Sequence, residues 1–345
     1  MHEHPRTGFV GSLKQPGRTA RRLGYRMPAE FEPIDCVWLT LPHDPQTWPG
    51  CLEQAQRQAQ DLLAALRQFV LITTTQELNI STDDSWIRDY GPIFVLNHRG
   101  ELACHDFIFN GWGEKYEPYE HDDVVPQHVA AHAQIPIWIH NVVLEGGSIE
   151  VNGRGTVMTT EQCLLNVNRN PHLSRDEIIH ILHEALGTWH VIWLPGGIEA
   201  DDTDGHIDNV ARFIRPGTVA APRALRNQPD HRVLELNWQV LKHARDEKGH
   251  RLHLIELPTP RPIYYDYPRT ESRPGGRQLI PASYANFLIA NSGVFVPTFG
   301  QPTDDEALRT LERAMPDHHV VPVRCEHLAV GLGTIHCLTL QQPRG

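Results

Sequence analysis

The sequence predicts an α/β fold assembled from a repeated unit of two strands, a helix and a further strand. Three observations support this prediction. Apolar runs of strand length alternate with patterns of helical period, the unit returns five times at a spacing of roughly 55–65 residues, and four of the five units end in a polar segment. Units that each direct a loop to one place are typical of a ring around a central site. An open α/β sheet with insertions is the alternative.

The predicted domain organisation is simple. Residues 1–25 are basic, carry Gly and Pro and show no hydrophobic period, so we expect a loose N-terminal arm. A single α/β domain is expected over residues 26–345. Within it, residues 258–284 are dense in Pro, Arg and Tyr and predict a substrate-covering or interface loop, with a long surface connection as the alternative.

Each unit is recognised from its apolar spacing and its helix caps. A helix over 52–68 places Leu and Ala on one face, and a helix over 175–186 opens with the capping box Ser174–Glu177. A second capping box, Thr303–Glu306, predicts the start of the last long helix. The other predicted elements are strands over 37–41, 70–74, 135–139 (closing an irregular second unit, 93–140), 148–151, 156–160, 190–194, 209–214, 218–221, 252–257, 287–290, 294–297 and 319–323, and a helix near 230–246.

The composition excludes several classes of partner. The chain has 345 residues, and 31 Lys and Arg against 42 Asp and Glu give a formal net charge of −11. Nucleic acid and anionic membranes are themselves negative, so we expect neither as a partner. No apolar run approaches the roughly 20 residues that span a bilayer, and the polar N-terminal residues lack the apolar segment of a signal peptide. These features predict a cytoplasmic location.

Polar chemistry collects at the ends of the predicted units. The residues there are mostly acidic, and only Arg88 among their neighbours carries the opposite charge. If they converge, several carboxylates cannot readily all ionise without a cation between them. The candidate cations are a metal ion, an amine and a guanidinium. The pooled residues are Asp83, Asp84, Asp89, Glu145, Asp201, Asp202, Asp204, His206, Asp208 and Cys337.

A metal ion fits this pattern poorly. Residues 202–208 offer oxygen and nitrogen donors, but Ala200 and Ala211 stand where an EF-hand loop places its first and last carboxylates. A transition-metal site would need further histidines near His206, and the segment has none. We therefore expect no metal and no cofactor. A planar guanidinium fits better, because two carboxylates can each accept paired N–H bonds from it.

Cys337 is the candidate nucleophile for such a group. It lies in GLGTIHCLT, where Gly331 and Gly333 let the backbone bend and approach a ligand closely. A thiol beside a cation and an imidazole has a lowered pKa and reacts as the thiolate. His206 could then protonate departing ammonia and later activate water, with Glu145 orienting the ring. An ordinary structural cysteine is the alternative, as for the other five widely spaced cysteines.

Six segments of the chain, in order, resemble motifs of one enzyme family. They are RMPAEFEP (26–33), DDSWIRDYGP (83–92), EGGSIEVNGRGT (145–156), NRNP (168–171), WLPGG with DDTDGHIDN (193–209) and GTIHC (333–337). On these segments the chain resembles the agmatine deiminase family, with its bacterial peptidylarginine deiminase relatives, over residues 26–343. The resemblance implies the pentein fold of guanidino-group-modifying enzymes. That fold is a five-bladed ββαβ propeller with pseudo-fivefold arrangement around a central active site.

The resemblance also implies roles, position by position. The implied catalytic residues are the nucleophile Cys337, the general acid/base His206, the guanidinium-binding carboxylates Asp89 and Asp208, and Glu145, which holds His206. The implied substrate-binding residues are Trp86, Asp202 and Gly333. Structural alternatives stay open: a core aromatic for Trp86 and a solvated loop acid for Asp202. Asp83 and Asp84 are expected to be loop carboxylates or capping groups.

The implied reaction is metal-independent hydrolysis of agmatine to N-carbamoylputrescine and ammonia, with a small cationic substrate as the partner. Departures from the family pattern at residues 40–42, Asp204 and Leu340 leave the outer part of the substrate open. Free arginine or a peptidyl arginine is the alternative, and an Arg or a donor array in the outer pocket would favour it. Two alternatives belong to other functional classes. One is a protein that binds a guanidine or polyamine without catalysis, and the other is a metallohydrolase. The resemblance also points to a homo-oligomer.

Overall fold

The fold is that of a computed structural model, which describes residues 19–269 and 275–345. The strands within these residues are β1 (Tyr25–Arg26), β2 (Ile34–Leu39), β3 (Leu71–Thr74), β4 (Ile93–Asn97), β5 (Leu102–Ile108), β6 (Ile137–Val143), β7 (Glu150–Val151), β8 (Thr156–Thr160), β9 (His190–Leu194), β10 (Arg212–Arg215), β11 (Thr218–Pro222), β12 (His253–Leu257), β13 (Ile263–Tyr267), β14 (Gly276–Ile280), β15 (Leu288–Ala290), β16 (Gly293–Thr298), β17 (His319–Arg324) and β18 (Thr339–Pro343). The helices are α1 (Leu52–Leu66), α2 (Ile87–Tyr90), α3 (Gly111–Glu114), α4 (Glu120–Asp123), α5 (Val125–Ala133), α6 (Glu161–Leu164), α7 (Arg175–Leu186), α8 (His231–His243), α9 (Pro302–Ala314) and α10 (Ile335–Leu338).

Most strands belong to sheets that share one plan. An antiparallel pair is extended on one side by a parallel strand, and helices lie between the two parallel strands along the chain. A parallel pairing requires such a crossover, because the chain must return to the same end of the sheet. The sets are β18-β2-β3, β4-β5-β6 with β1 beside β4, β7-β8-β9, β10-β11-β12 and β15-β16-β17. The predicted α/β class and its repeated unit agree with this plan.

The middle strands of the sheets form the interior. Every residue of β8 and of β16 is buried, which is typical of strands that are covered on both faces. The long helices bury only one stripe each. In α1 that stripe consists of Ala55, Ala59, Leu62, Leu63 and Leu66 together with Gln58. The helices therefore cover the sheets from outside and leave the loops at the strand ends free to build a site.

Local sequence explains where α7 and α9 begin. The capping box predicted for α7 is present: the Ser174 side chain accepts from the Glu177 backbone, and the Glu177 side chain accepts from Ser174. The box predicted at Thr303–Glu306 is wrong. Gln301 and Asp304 form it instead, because Pro302 occupies the first turn and starts the helix earlier.

Three segments differ from the sequence prediction. Residues 19–25 were expected in a loose arm, but Ala20 and Tyr25 are buried and β1 pairs with β4. The strand expected over 135–139 is β6, which starts and ends later because it pairs with β5. The segment 258–284 contains the hairpin β13-β14 instead of an irregular loop throughout. Residues 1–18 of the predicted arm, and 270–274 in the hairpin connection, lie outside the described residues.

Two further features of the described residues bear on function. Strand β18 follows every other described strand in the chain and pairs with β2, so the first sheet is completed last. No helix of residues 19–269 or 275–345 is both long and apolar enough to cross a membrane.

Candidate active site

One loop from each of the five sheets reaches the same place. In four sheets the loop directly follows the last, parallel strand; in the sheet β10-β11-β12 the hairpin β13-β14 lies between that strand and the loop. The side chains delivered there are Asp89 after β3, Glu145 after β6, His206 and Asp208 after β9, Asn286 after β12, and Cys337 after β17. The predicted polar segments therefore converge, and the fourth unit, which had offered no candidate, contributes Asn286.

Cys337 lies in the single turn α10, and its side chain is buried. Its Sγ accepts a hydrogen bond from Asn286 Nδ2 at 3.3 Å and lies 3.8 Å from Asp208 Oδ2. Burial raises the pKa of the Cys337 thiol well above its usual value, and the carboxylates of Asp208 and Asp89 raise it further. The sulfur is therefore a thiol before a cationic substrate binds.

His206 sits between two carboxylates. Its Nδ1 lies 3.4 Å from Asp89 Oδ1, and its Nε2 lies 4.0 Å from Glu145 Oε2. Burial alone would lower the pKa of His206, but Asp89, Cys163 and Glu145 outweigh it and raise that pKa well above the usual value. The ring therefore holds a second proton at neutral pH and can act as an acid.

Glu145 is oriented by Arg169, a residue of the NRNP segment. Arg169 Nε donates to Glu145 Oε1 at 2.6 Å, and both side chains are fully buried. Ligand atoms of Glu145, Cys163 and His206 lie within 4.8 Å of one another, a spacing that three metal ligands could have. The guanidinium of Arg169 places a fixed positive charge on this group, which disfavours a divalent cation there.

Asp89, in the short helix α2, is bound on both carboxylate oxygens. Trp112 Nε1 donates to Oδ2 at 2.9 Å, and the Gly147 backbone N–H donates to Oδ1 at 3.0 Å. Burial is the largest effect on the pKa of Asp89 and raises it to about 6. Trp112 reaches Asp89 from a left-handed backbone conformation with φ of 56°, which is uncommon for an aromatic residue and is typical of functional loops.

Asp208 has one oxygen bound and one oxygen free of protein partners. His336 Nδ1 lies 2.8 Å from Oδ2, whereas Oδ1 is buried without a hydrogen bond. Burial would raise the pKa of Asp208, but the bond and the charge of His336 hold it below the usual value. Asp208 is therefore ionised and keeps an acceptor for a donor that the protein does not provide.

Behind Asp208 lies a buried network of charges. His336 Nε2 lies 2.8 Å from Glu30 Oε2, and Arg212 Nη2 donates to Glu30 Oε1 at 2.7 Å. Arg212 also donates to Glu150 at 2.9 Å. Burial would raise the pKa of Glu30, but Arg212 and His336 lower it instead. Arg88 Nη2, 3.5 Å from Glu30 Oε2, brings the bases to three against three acids, so the network can stay charged in the interior.

The centre of the site is marked by Gly147. A Cβ atom on Gly147 would lie 2.6 Å from Asp89 Oδ1, 2.6 Å from His206 Nδ1 and 3.2 Å from Asp208 Oδ2. Of the seven buried side-chain polar atoms without a hydrogen bond among the described residues, four surround this point. They are Glu145 Oε2, both ring nitrogens of His206 and Asp208 Oδ1. Buried polar atoms are normally paired, so this arrangement matches a polar ligand that is not part of the chain.

A cavity of about 210 Å³ leads outward from Cys337. Trp86 and Gly333 form one wall, where a side chain at 333 would collide with the indole at 2.6 Å. The wall is backed by Trp48, whose ring centroid lies 5.2 Å from that of Trp86. Trp86 is therefore a core aromatic that also lines the cavity, so it fits both the core role and the substrate-binding role considered from the sequence.

The described lining of this cavity is strongly acidic. Its acidic residues are Asp44, Asp83, Asp84, Asp89, Glu117, Asp122 and Asp202. Lys115 is the lone base among the described lining residues, and its Nζ is held 2.7 Å from Asp204 Oδ1 and 2.5 Å from the Asp202 carbonyl oxygen. Burial raises the pKa of Asp84 to about 6 and that of Asp122 well above its usual value, so added positive charge is favoured there.

The predicted outer residues have different surroundings. Asp202 lies at the cavity, where its carboxylate accepts from the Tyr116 hydroxyl. Asp83 accepts from the backbone N–H of His121, and Asp84 accepts from the backbone N–H of Ser85, so both organise loops as well as line the cavity. Asp201 lies beside the site and accepts from Thr203.

Several residues of the site were missed from the sequence. They are Glu30, Trp112, Gly147, Arg169, Asn286 and His336. Four of them stand inside segments that carried the family resemblance, at 26–33, 145–156, 168–171 and 333–337. Trp112 and Asn286 lie outside those segments, and no local pattern marks them.

Comparisons with known proteins agree with this geometry. The profile of Porphyromonas-type peptidyl-arginine deiminases matches residues 26–343. The agmatine deiminase of Ectopseudomonas mendocina is 39% identical, over 94% of this chain and 97% of its own. The solved agmatine deiminase of Enterococcus faecalis is 35% identical and superposes with a TM-score of 0.91, over 97% of this chain and 99% of its own. An amidinotransferase of Microseira wollei, 13% identical with a TM-score of 0.56 over 93% of this chain and 97% of its own, shares the fold.

Proposed function

We propose a reaction for this chain from the premise that it belongs to the Porphyromonas-type peptidyl-arginine deiminase family, alongside the agmatine deiminases to which it is similar. The chain is a hydrolase that converts agmatine and water to N-carbamoylputrescine and ammonia. The guanidinium binds where Gly147, Asp89 and Asp208 meet, and the aminoalkyl arm extends along the cavity past Trp86.

The observation that carries the choice of agmatine is the acidic outer cavity. Agmatine is a dication, with a guanidinium at one end and an ammonium at the other. Arginine carries a carboxylate next to that ammonium, and the ionised members of the seven lining acids would repel it. Lys115 could attract a carboxylate, but its Nζ is occupied by Asp204. The outer cavity therefore favours the substrate without a carboxylate.

The first half of the reaction forms a covalent intermediate. Asp89 and Asp208 hold the guanidinium plane, and its positive charge counteracts the carboxylates that keep Cys337 protonated. The thiol releases its proton to water, and Sγ adds to the guanidinium carbon. The imidazolium of His206 then donates a proton to one terminal nitrogen. The C–N bond breaks, ammonia leaves, and an S-alkylthiouronium remains on Cys337.

In the second half of the reaction His206 acts as a general base, whereas it acts as a general acid in the first. His206 is now neutral and takes a proton from a water molecule, which adds to the thiouronium carbon. The hydroxyl group of this adduct releases its remaining proton to water as the C–S bond breaks. The thiolate of Cys337 departs, and the neutral ureido product is released. Glu145, held by Arg169, keeps the His206 ring in one orientation through both steps.

We further propose that the five sheets surround this site as a five-bladed propeller in a single domain. The support is that each sheet supplies one loop to the site. The cytoplasmic location and the homo-oligomer stay predictions from sequence and resemblance.

The test is an assay of ureido product and ammonia with agmatine, arginine and an arginyl peptide side by side, with and without EDTA. We expect turnover of agmatine, unaffected by EDTA, and none for Cys337→Ser, whose hydroxyl is a poorer nucleophile. Turnover of arginine or the peptide instead would replace the substrate and keep the mechanism. Loss of activity in EDTA would favour a metallohydrolase, and silence on all three substrates would favour a binding protein.

A further inference from the structure

The sulfur of Cys337 has a hydrogen-bond donor to which the reaction above assigns no role. Asn286 Nδ2 donates to Cys337 Sγ at 3.3 Å. Asn286 is 1% exposed and precedes β15, so it reaches the nucleophile from a part of the chain 51 residues away. The contact therefore depends on the tertiary structure and cannot be predicted from the GTIHC segment.

The orientation of the Asn286 amide is fixed by its other partners. Its Oδ1 accepts from the backbone N–H of His336 at 3.1 Å and from Thr334 Oγ1 at 2.6 Å. A backbone N–H can only donate, so the oxygen must face His336 and the NH₂ group must face the sulfur. Cys337 Sγ lies 3.3 Å from Nδ2 and 3.6 Å from Oδ1, so turning the amide over would break both bonds and make the acceptor oxygen the nearer atom to the sulfur.

Two carboxylates that face Cys337 oppose the thiolate. Asp208, on the turn before β10, lies 3.8 Å from the sulfur, and Asp89 approaches from α2. His336, on the same short helix as Cys337, directs its ring to Asp208 and Glu30. Beside Asn286 the backbone N–H of Thr334 is the other neighbour that favours the charged sulfur.

We infer that Asn286 is a further catalytic residue, whose Nδ2–H group stabilises the Cys337 thiolate. The hydrogen bond is stronger to a thiolate than to a thiol, because the acceptor then carries charge. It acts twice, when the thiolate attacks and when the thiolate departs from the thiouronium. The proton stays on Asn286 throughout, and the thiol proton goes to water. The inference deepens the proposed function, on which it rests.

The test measures the sulfur itself. The full chain without substrate is alkylated with iodoacetamide between about pH 6 and 10, and modification of the Cys337 peptide is followed by mass spectrometry. Iodoacetamide is neutral, so it needs no carboxylate clamp. We expect Asn286→Ala to react about tenfold more slowly than wild type at about pH 8. Asn286→Asp, nearly isosteric, should react more slowly still, because it adds a negative charge beside the sulfur.

A matched control is Asn237→Ala on α8. Asn237 is also buried and bonds the backbone of Gly196, so its loss tests the effect of removing a buried amide elsewhere. Its rate should equal that of wild type. A wild-type rate and pH midpoint for Asn286→Ala would overturn the inference. If that variant does not fold, wild-type reactivity of Asn286→Asp would overturn it equally.

Alkylation of Cys337 is measured without substrate, so its result tests the role of Asn286 independently of the proposed substrate. One outcome is that the wild type fails to turn over agmatine while alkylation is fastest in wild type, slower in Asn286→Ala and slowest in Asn286→Asp. That result would refute the proposed substrate and support Asn286 as a donor to the thiolate. An active wild type whose alkylation does not change in either variant would refute the donor alone. In an active enzyme, Asn286→Ala should lower kcat about tenfold with KM little changed, because Asn286 is not placed against the guanidinium.

Discussion

Replacing His336 with asparagine tests how the site keeps Asp208 ionised. The ring nitrogens of His336 lie 2.8 Å from Asp208 Oδ2 and 2.8 Å from Glu30 Oε2. Both nitrogens can donate only if the ring is protonated. In His336→Asn, the amide nitrogen takes the place of Nδ1, so a hydrogen bond to Asp208 is retained and the positive charge is removed. The change therefore separates charge from hydrogen bonding.

The size of the effect follows from that contact. The amide of the variant still bonds the Asp208 carboxylate, so only the positive charge is lost, and an opposite charge at this range lowers a carboxyl pKa by about 1–3 units. The lost charge therefore corresponds to about one unit in the pKa of Asp208. Burial raises this pKa and His336 lowers it, so the variant has a higher pKa than wild type.

The assay is kcat/KM for agmatine as a function of pH. Both clamp carboxylates must be ionised to bind a guanidinium, and Asp89, with a pKa of about 6, sets the first fall of the acid limb. Asp208 titrates at lower pH and adds a second, steeper fall, which should move upward by about one pH unit in the variant. At about pH 4 kcat/KM should therefore drop up to about tenfold relative to wild type, with little change above about pH 6. The alkaline limb should not move. His105→Asn is the control, because His105 is a buried histidine bonded to His140 and to the Ala185 carbonyl. An acid limb that coincides with wild type in His336→Asn would refute the reasoning.

Two other substitutions test the centre of the site. A methyl group at Gly147 would lie 2.6 Å from Asp89 Oδ1 and 2.6 Å from His206 Nδ1. Gly147→Ala should therefore fold but lower kcat/KM at least about a hundredfold. A kcat/KM near the wild-type value would mean that the guanidinium binds elsewhere. Trp112→Phe removes the N–H bond to Asp89 and raises the pKa of Asp89 above its present value of about 6. KM for agmatine should then rise about threefold to tenfold near pH 6.5 and little near pH 8.5, and an equal change at both pH values would contradict this account.

Much of the fold was accessible from the sequence because its helices and strands have strong local signals. Helix α7 was bounded correctly, since its cap, its apolar spacing and Gly187 lie within one short stretch. The start of α9 was misplaced because two overlapping caps compete there, and Pro302 favours the earlier one. Tyr25 was placed in a loose arm because its partner, Asn97 of β4, is distant in sequence.

The candidate site divides in the same way. Acids and the cysteine were found because they are chemically distinctive and collect at the ends of units. Asn286 was missed, since a neutral amide before a strand has no signal until Cys337 is beside it in space. His336 was overlooked although it adjoins Cys337, because its function depends on Glu30, which lies 306 residues away.

The pairing of β18 with β2 has a consequence for the timing of activity during synthesis. Cys337 lies in the turn immediately before β18, and β18 reaches its place only by joining a strand made near the start of the chain. A nascent chain that has been made as far as β17 contains Asp89, Glu145, His206 and Asp208 but not its nucleophile. The enzyme therefore becomes active only when β18 has left the ribosome and paired with β2, so incomplete chains cannot consume the substrate.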